Sequence, residues 1–288
     1  MFMDHRECDD VVPETARERA VIVPCSASNG REWKAFRDQF RHVRSVTVDH
    51  YGHADRPRWH GSGPMSLLEE AAAIAEAFPD SERFHLVGHS YGGGVALRFA
   101  LSAPERLQSL TLIEPSCFHL LKSTRDGALL DEIRGIAGAV NHAIVCGDYC
   151  SGMRTFMGNW GGRGSWDALR AERRAQLAQL AVHVAHHFWN LMEECLTLDS
   201  YAKVDVATLI VCGTRSPHPS REITHLLAKT LPRSRHHTIR DATHMSPFTH
   251  AQELQRLIVQ HWRLYCDFSE PGQLSSENAQ TINDSWEF

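Results

Sequence analysis

The segment His85-Leu86-Val87-Gly88-His89-Ser90-Tyr91-Gly92-Gly93-Gly94 decides how this chain of 288 residues is read. Its first half is a short apolar run of the kind that forms a buried strand, and residues 91–101 read as a helix. Gly88-x-Ser90-x-Gly92 lies on the turn between them. The Gly-x-Ser-x-Gly pattern alone is weak: at ~7% each for Gly and Ser, chance gives about 0.1 matches in a chain this long. The strand-to-helix context carries the information. A serine on so tight a turn needs strained backbone angles, and neighbours without Cβ relieve the crowding. The turn pushes Oγ into solvent at the carboxyl end of the sheet and aims it at a helix N-terminus.

Outward from this segment, short apolar runs alternate with helical patterns. Strands are predicted at residues 20–23, 45–48, 84–87, 109–113, 208–212 and, with a weaker pattern, 237–239. Helices are predicted at 32–40, 91–101, 221–229 and 251–264, and another begins at Ser66, which forms a capping box with Glu69 ahead of Leu67, Leu68, Ala71, Ile74, Ala75 and Phe78. This alternation implies an α/β fold: a mostly parallel sheet with helices on both faces. It breaks over residues 116–204, which carry no clear strand signal and are too long for a loop, so a helical insertion is expected there. Within it Leu177, Leu180, Ala181, Val184, Phe188, Leu191, Met192 and Cys195 trace one apolar stripe, predicting a helix of roughly 25 residues. The expected organisation is a core of residues 20–115 and 205–265, a cap at 116–204, and poorly ordered ends at 1–19 and 266–288.

Composition bounds the function. Thirty Lys and Arg against 35 Asp and Glu give a net charge of −5, with no electrostatic footprint for nucleic acid. The start, MFMDHRECDD, has acids where a signal peptide carries a basic region, and no apolar run is long enough to span a membrane, so a cytoplasmic location is expected. The eight cysteines include no Cys-x-x-Cys pair and read as reduced, mostly structural thiols. The 19 histidines are the unusual count. His183 and His187, at helical i, i+4 spacing with His186 and Glu194 nearby, could share a metal, but His-Glu-x-x-His is absent and no third ligand is evident, so no metal is assigned and a polar face or substrate lining is the preferred reading. Asp49-His50-Tyr51-Gly52-His53 follows the second strand and reads as architectural.

With the Gly88-His89-Ser90-Tyr91-Gly92 turn in this context, the chain resembles the α/β-hydrolase fold superfamily, whose nucleophile elbow has this form. The resemblance runs from about Ala20 to Leu264. It implies Ser90 as nucleophile and, on the loop between the last strand and the final helix, a catalytic histidine, where this chain has His244 in Asp241-Ala242-Thr243-His244-Met245. A hydroxyl needs such a base to take its proton. The usual acid slot here reads Gly213-Thr214-Arg215-Ser216-Pro217, without a carboxylate. A minority of the superfamily places the acid one strand earlier, and Leu112-Ile113-Glu114-Pro115 supplies Glu114 there. The alternative is that Glu114 pairs an arginine or orders the entry to the insertion, leaving a Ser–His dyad supported by Ser216.

The oxyanion hole implied by the resemblance uses the backbone N–H of Tyr91 and one from the loop after the first strand, Val23-Pro24-Cys25-Ser26-Ala27. Ser26 is the first candidate there and Cys25 the second; Pro24 has no N–H to give. The Cys25 thiol is either packed or, beside that site, reactive. Members of the superfamily normally carry two further strands ahead of the first one seen here, where only about twenty residues stand, so one or both are expected to be missing.

The expected activity is hydrolysis of a carboxylic ester or related small-molecule acyl substrate through an acyl-enzyme, with no cofactor. Trp160, Trp166, Phe188 and Trp189 of the insertion are candidates for apolar cleft lining or for the insertion's own core. Ser90 argues against the epoxide hydrolases and haloalkane dehalogenases of the same fold, which use Asp. Thioester, lactone and carbon–carbon bond hydrolysis and cofactor-free perhydrolase or oxygenase chemistry stay open, as does a ligand receptor that keeps the pocket without turnover.

Overall fold

The computed structural model describes residues 18–40, 43–61, 65–124 and 127–265. The expectations for the two ends, for the further N-terminal strands and for Cys8 and Cys266 lie outside these residues, except that Glu18 and Arg19 already belong to the first strand.

In chain order the elements are β1 (Glu18–Val23), α1 (Lys34–Arg37), β2 (Val43–Thr47), α2 (Leu67–Ala75), β3 (Phe84–His89), α3 (Tyr91–Ser102) and β4 (Leu107–Ile113). Then follow α4 (Ala128–Val145), α5 (Tyr149–Trp160), α6 (Ala171–Ala178), α7 (Ala181–Glu193), α8 (Leu198–Tyr201), β5 (Thr208–Gly213), α9 (His218–Thr230), β6 (Ser234–Ile239), α10 (Ser246–Thr249) and α11 (Ala251–Arg263). The strands form one sheet in the order β2-β1-β3-β4-β5-β6, and every adjacent pair is parallel. All six strands stand where the apolar runs predict them. β6 reads weakly because it is an edge strand: SerArgHisHisThrIle buries only Ile239 fully, whereas β3 and β5 are buried throughout.

Side-chain alternation sorts the core into two layers. Val21, Val23, Leu86, Leu110, Leu112 and Ile210 pack on the face covered by α2, α3, α7 and α9. Ala20, Ile22, Val87, Ile113, Val211 and Ile239 face α1 and α11. On that second face Trp33, Phe36, Phe40 and Trp262 form a chain of rings with centroids 4.8 to 5.4 Å apart. The helix predicted at 32–40 contracts to α1, the rest being turns anchored by these rings. The Ser66–Glu69 capping box is present, with Leu68 N–H donating to Ser66 Oγ at 3.2 Å.

The predicted helix of roughly 25 residues is a correction. The stripe is carried by two helices, α6 and α7, separated at Gln179 and Leu180, where Leu180 N–H bonds back only three residues to Leu177 O. Leu177, Ala181, Val184, Phe188 and Leu191 are nonetheless buried together. The burial pattern therefore survives a break that no glycine or proline marks. No described helix is long and apolar enough to cross a membrane.

Burial accounts for part of the histidine excess. His53, His89, His119 and His261 are at most 4% exposed. Desolvation pushes His53 and His89 down to about 3, and His119 and His261 down to about 4, from an ordinary 6.5. These rings stay neutral in the fold, whereas the unfolded chain protonates them below about pH 6.5. Each therefore supports the fold fully only above that pH and removes up to about 1.4 kcal/mol of stability per pH unit of acidification. Urea midpoints are expected to fall steeply once the pH drops below about 6.5; a midpoint unchanged down to about pH 5 would contradict this.

Candidate active site

The strand order reverses direction between β1 and β3: the chain runs from β1 outward to β2 on one side, then returns to β3 on the other. The carboxyl ends of those two strands therefore open a crevice, the place where open α/β sheets hold ligands. The loop Pro24–Ser26 leaves β1 there, and Ser90 leaves β3.

Ser90 has φ 57° and ψ −119°, a left-handed conformation that costs a residue with Cβ on the order of 1–3 kcal/mol. Neighbouring strand ends hold it: Ser90 N–H donates to Ile113 O at 3.0 Å, and Ser116 N–H donates to Ser90 O at 2.9 Å. The flanking glycines are required by contact. A Cβ on Gly92 would lie 2.3 Å from the carbonyl oxygens of both Val23 and Pro24, and one on Gly88 would lie 2.4 Å from Gly92 O. Since those neighbours are backbone, Gly92→Ala is expected to displace the β1 loop, costing at least about 1–3 kcal/mol of stability by overpacking. Chemical denaturation would measure it, and an unchanged midpoint would show that the loop yields freely.

Glu114 and His244 meet. His244 Nδ1 lies 2.8 Å from Glu114 Oε2, and both side chains are buried, at 3% and 0% exposure. The other carboxylate oxygen accepts from Gly213 N–H at 3.0 Å and from Ser216 Oγ. The segment after β5 that lacks an acid thus supplies two donors to an acid arriving from β4. No arginine is among these partners. Burial alone would raise the Glu114 carboxyl, but the bonds from His244, Ser216 and Gly213 outweigh it and hold the group below its ordinary value. Gly213 also lets the histidine loop approach: a Cβ there would lie 2.2 Å from Ala242 O.

His89, next to the serine, ties the elbow to the histidine loop. Its Nε2 donates to His244 O at 2.9 Å, and the two rings lie 5.0 Å apart. In this structure the Ser90 hydroxyl is bonded to Ser116 Oγ at 3.1 Å, and no hydrogen bond joins it to His244 among the described residues.

Tyr91 is the first residue of α3, so its N–H has no intrahelical acceptor. Ser26 stands on the loop pressed against Gly92, its Oγ 2.9 Å from His187 Nδ1. Cys25 is 7% exposed, and burial, followed by the nearby Glu32 charge, pushes its thiol up to about 12, so the packed reading holds and not the reactive one.

Ser90 opens on a cavity whose polar side is Ser26, Ser116 and His187 and whose apolar side includes Phe118, Phe156, Trp160 and Phe188. His244 does not line this cavity but packs against Trp160, ring centroids 4.9 Å apart. Of the four insertion aromatics singled out in the sequence, Trp160 and Phe188 line the cavity, Trp166 is buried without reaching it, and Trp189 is 55% exposed. His183 and His187 belong to a set of rings with His53, at 5.4 and 5.2 Å, and among the described residues no cluster is placed to hold a metal ion. His50, read as architectural, bonds Pro24 O through Nε2 at 2.8 Å and so anchors the β1 loop. Sequence reasoning misses Ser116, Trp160's contact with His244, and Asn190, which donates to the Tyr91 hydroxyl at 2.9 Å. The i, i+4 spacing of His183 and His187 is the signal on the polar side of this helix, beside the apolar stripe on its other side.

Comparison with known proteins places these features in context. A model of the alpha/beta hydrolase family matches residues 20–256. The abhydrolase domain-containing protein abhd-5.2 of Caenorhabditis elegans is 33% identical over 84 residues, a match spanning 28% of this chain and only 19% of that protein. The pimeloyl-[acyl-carrier protein] methyl ester esterase of Aeromonas salmonicida (strain A449) is 29% identical over 244 residues, 80% of this chain and 89% of the relative. An esterase (EaEST) structure from Exiguobacterium antarcticum aligns with a TM-score of 0.67 at 18% identity, covering 85% of this chain and 92% of that one. At that identity the likeness concerns the fold alone.

Proposed function

This chain belongs to the alpha/beta hydrolase family, and from that premise we propose that it is a serine hydrolase acting on a carboxylic ester or related acyl compound through an acyl-enzyme. The observation that carries the reading is the 2.8 Å bond between His244 Nδ1 and the buried Glu114 carboxylate, on the loop that His89 ties to the Ser90 elbow. An imidazole that gives its Nδ1–H to a carboxylate keeps the Nε2 lone pair for proton transfer.

Binding of the substrate carbonyl draws the Ser90 hydroxyl from Ser116 to His244, a bond that commonly forms only with substrate in place. Ser90 Oγ attacks the carbonyl carbon as His244 takes its proton, and the N–H groups of Tyr91 and Ser26 hold the oxyanion. The tetrahedral intermediate collapses, the alcohol leaves with the proton from His244, and Ser90 carries the acyl group. Water, deprotonated by His244, then attacks the acyl carbon; the second tetrahedral intermediate collapses, His244 returns the proton to Ser90 Oγ, and the carboxylic acid departs. Glu114 stabilises the imidazolium formed in each half. Residues 116–204 act as a cap, with Phe118, Phe156, Trp160 and Phe188 setting the acyl preference. The methyl ester esterase relative supports an ester over a thioester, lactone or carbon–carbon bond.

A panel of p-nitrophenyl esters and thioesters of increasing acyl length tests this. Hydrolysis is expected to be fastest with short acyl groups, because four aromatic side chains close the cavity, and to weaken with long ones. Folded protein that hydrolyses no member of the panel would overturn the proposal. That outcome would favour the second reading, a receptor that binds acyl ligands without turnover. Its support is the Ser90 hydroxyl bonded to Ser116.

A further inference from the structure

One helix of the insertion grips both halves of the proposed oxyanion hole. His187 and Asn190 lie nearly one turn apart on α7. The His187 imidazole bonds Ser26 Oγ through Nδ1 at 2.9 Å and lies flat on the Tyr91 ring, with centroids 3.7 Å apart and planes 8° from parallel. Asn190 Nδ2 donates to the Tyr91 hydroxyl at 2.9 Å. His187 and Asn190 are 1% and 6% exposed, so water does not compete for these contacts. They fall on the two residues whose main-chain N–H groups are assigned to the oxyanion, which leave the adjacent strands β1 and β3; His50, bonded to Pro24 O and with its ring 4.8 Å from that of Tyr91, also braces the same pair.

The β1 loop needs such a hold. Ala27 adopts φ 59°, an unfavourable conformation for a residue with Cβ, and the turn around it is closed by Ser28 N–H to Cys25 O at a long 3.3 Å. His50 fixes the loop at Pro24 O and His187 fixes it at Ser26. Burial holds His187 far below its ordinary value, so it meets Ser26 as a neutral ring. Oxyanion donors act only within a narrow range of about 2.7–3.1 Å, and a misplacement of about 1 Å can cost 10²-fold in rate.

We propose that His187 is a positioning residue that sets the separation of the Ser26 and Tyr91 N–H groups, making α7 of the insertion part of the oxyanion hole. This rests on the serine-hydrolase reading above. His187→Phe keeps a flat ring against Tyr91 and removes the bond to Ser26, whereas His187→Gln keeps a bonding group and removes the ring. Ser26→Ala deletes the side-chain partner and leaves the main-chain donor in place. Rates are expressed per active site titrated with a fluorophosphonate, so that misfolded protein does not count.

His187→Phe and Ser26→Ala are each expected to lower kcat of a p-nitrophenyl ester by roughly 10–100-fold, with KM changed less than about threefold, since the lost interaction matters only in the transition state. His187→Gln is expected to recover several-fold of that loss, and the Ser26→Ala/His187→Phe double variant to fall no further than either single variant. A kcat per titrated site within about twofold of wild type in both single variants, a loss confined to KM, or fully additive losses would each overturn the proposal. Wild-type protein that neither labels nor turns over would instead overturn the serine-hydrolase reading.

Discussion

Ser90→Ala is expected to lower kcat on the preferred ester by on the order of 10⁵–10⁶, because in the proposed mechanism its oxygen becomes part of the acyl-enzyme and nothing else in the cavity substitutes for it. Ser116 and Ser26 also present hydroxyls there, but neither stands on the strained turn that aims an oxygen at a helix N-terminus. The residual rate would come from substrate binding and the oxyanion donors alone. Stability should change little, since alanine removes only the Ser116 bond and inherits the same left-handed backbone. Steady-state kinetics on protein of verified thermal midpoint would measure both. A residual rate within about tenfold of wild type would assign the nucleophile elsewhere.

Glu114→Gln carries the second large effect, and its direction follows from the bonds the carboxylate makes. Gly213 N–H and Ser216 Oγ are donors to one oxygen, so a glutamine places its amide oxygen there and turns its NH₂ toward His244. His244 Nδ1 must then accept instead of donate, which puts the ring proton on Nε2, the atom that must take the serine proton. The negative charge that the proposed mechanism uses to stabilise the imidazolium is also lost. kcat is expected to fall by roughly 10²–10⁴ with little change in KM, as for other triad acids made neutral. An unchanged kcat would remove Glu114 from the machinery and leave a Ser90–His244 dyad.

Much of the fold was legible because its signals are local. Each strand is a short apolar run, and the Ser66–Glu69 capping box and the glycines around Ser90 mark their turns within a few residues. That Glu114 faces His244 was legible through the superfamily resemblance, which in some members puts a carboxylate at the end of β4 when the slot after β5 is empty. That Ser216 and Gly213 donate to Glu114 was not, because the partners lie about a hundred positions away in the chain. The break between α6 and α7 left no trace in sequence, since the stripe of buried residues continues through it. His187 and Asn190 look like an ordinary polar face of α7 until β1 and β3 bring Ser26 and Tyr91 beneath them. His50 and His53 likewise show their places only when the loop after β2 folds beside that helix.

Activation of Ser90 by His244 is open to direct test by covalent labelling. Wild-type protein treated with a fluorophosphonate should gain one phosphonyl group by intact mass, mapped to the peptide containing Ser90. The adduct should be absent in Ser90→Ala and form at least about 10³-fold more slowly in His244→Ala. Folded wild-type protein that remains unlabelled, or that labels equally fast without His244, would exclude a Ser90 nucleophile activated by that histidine.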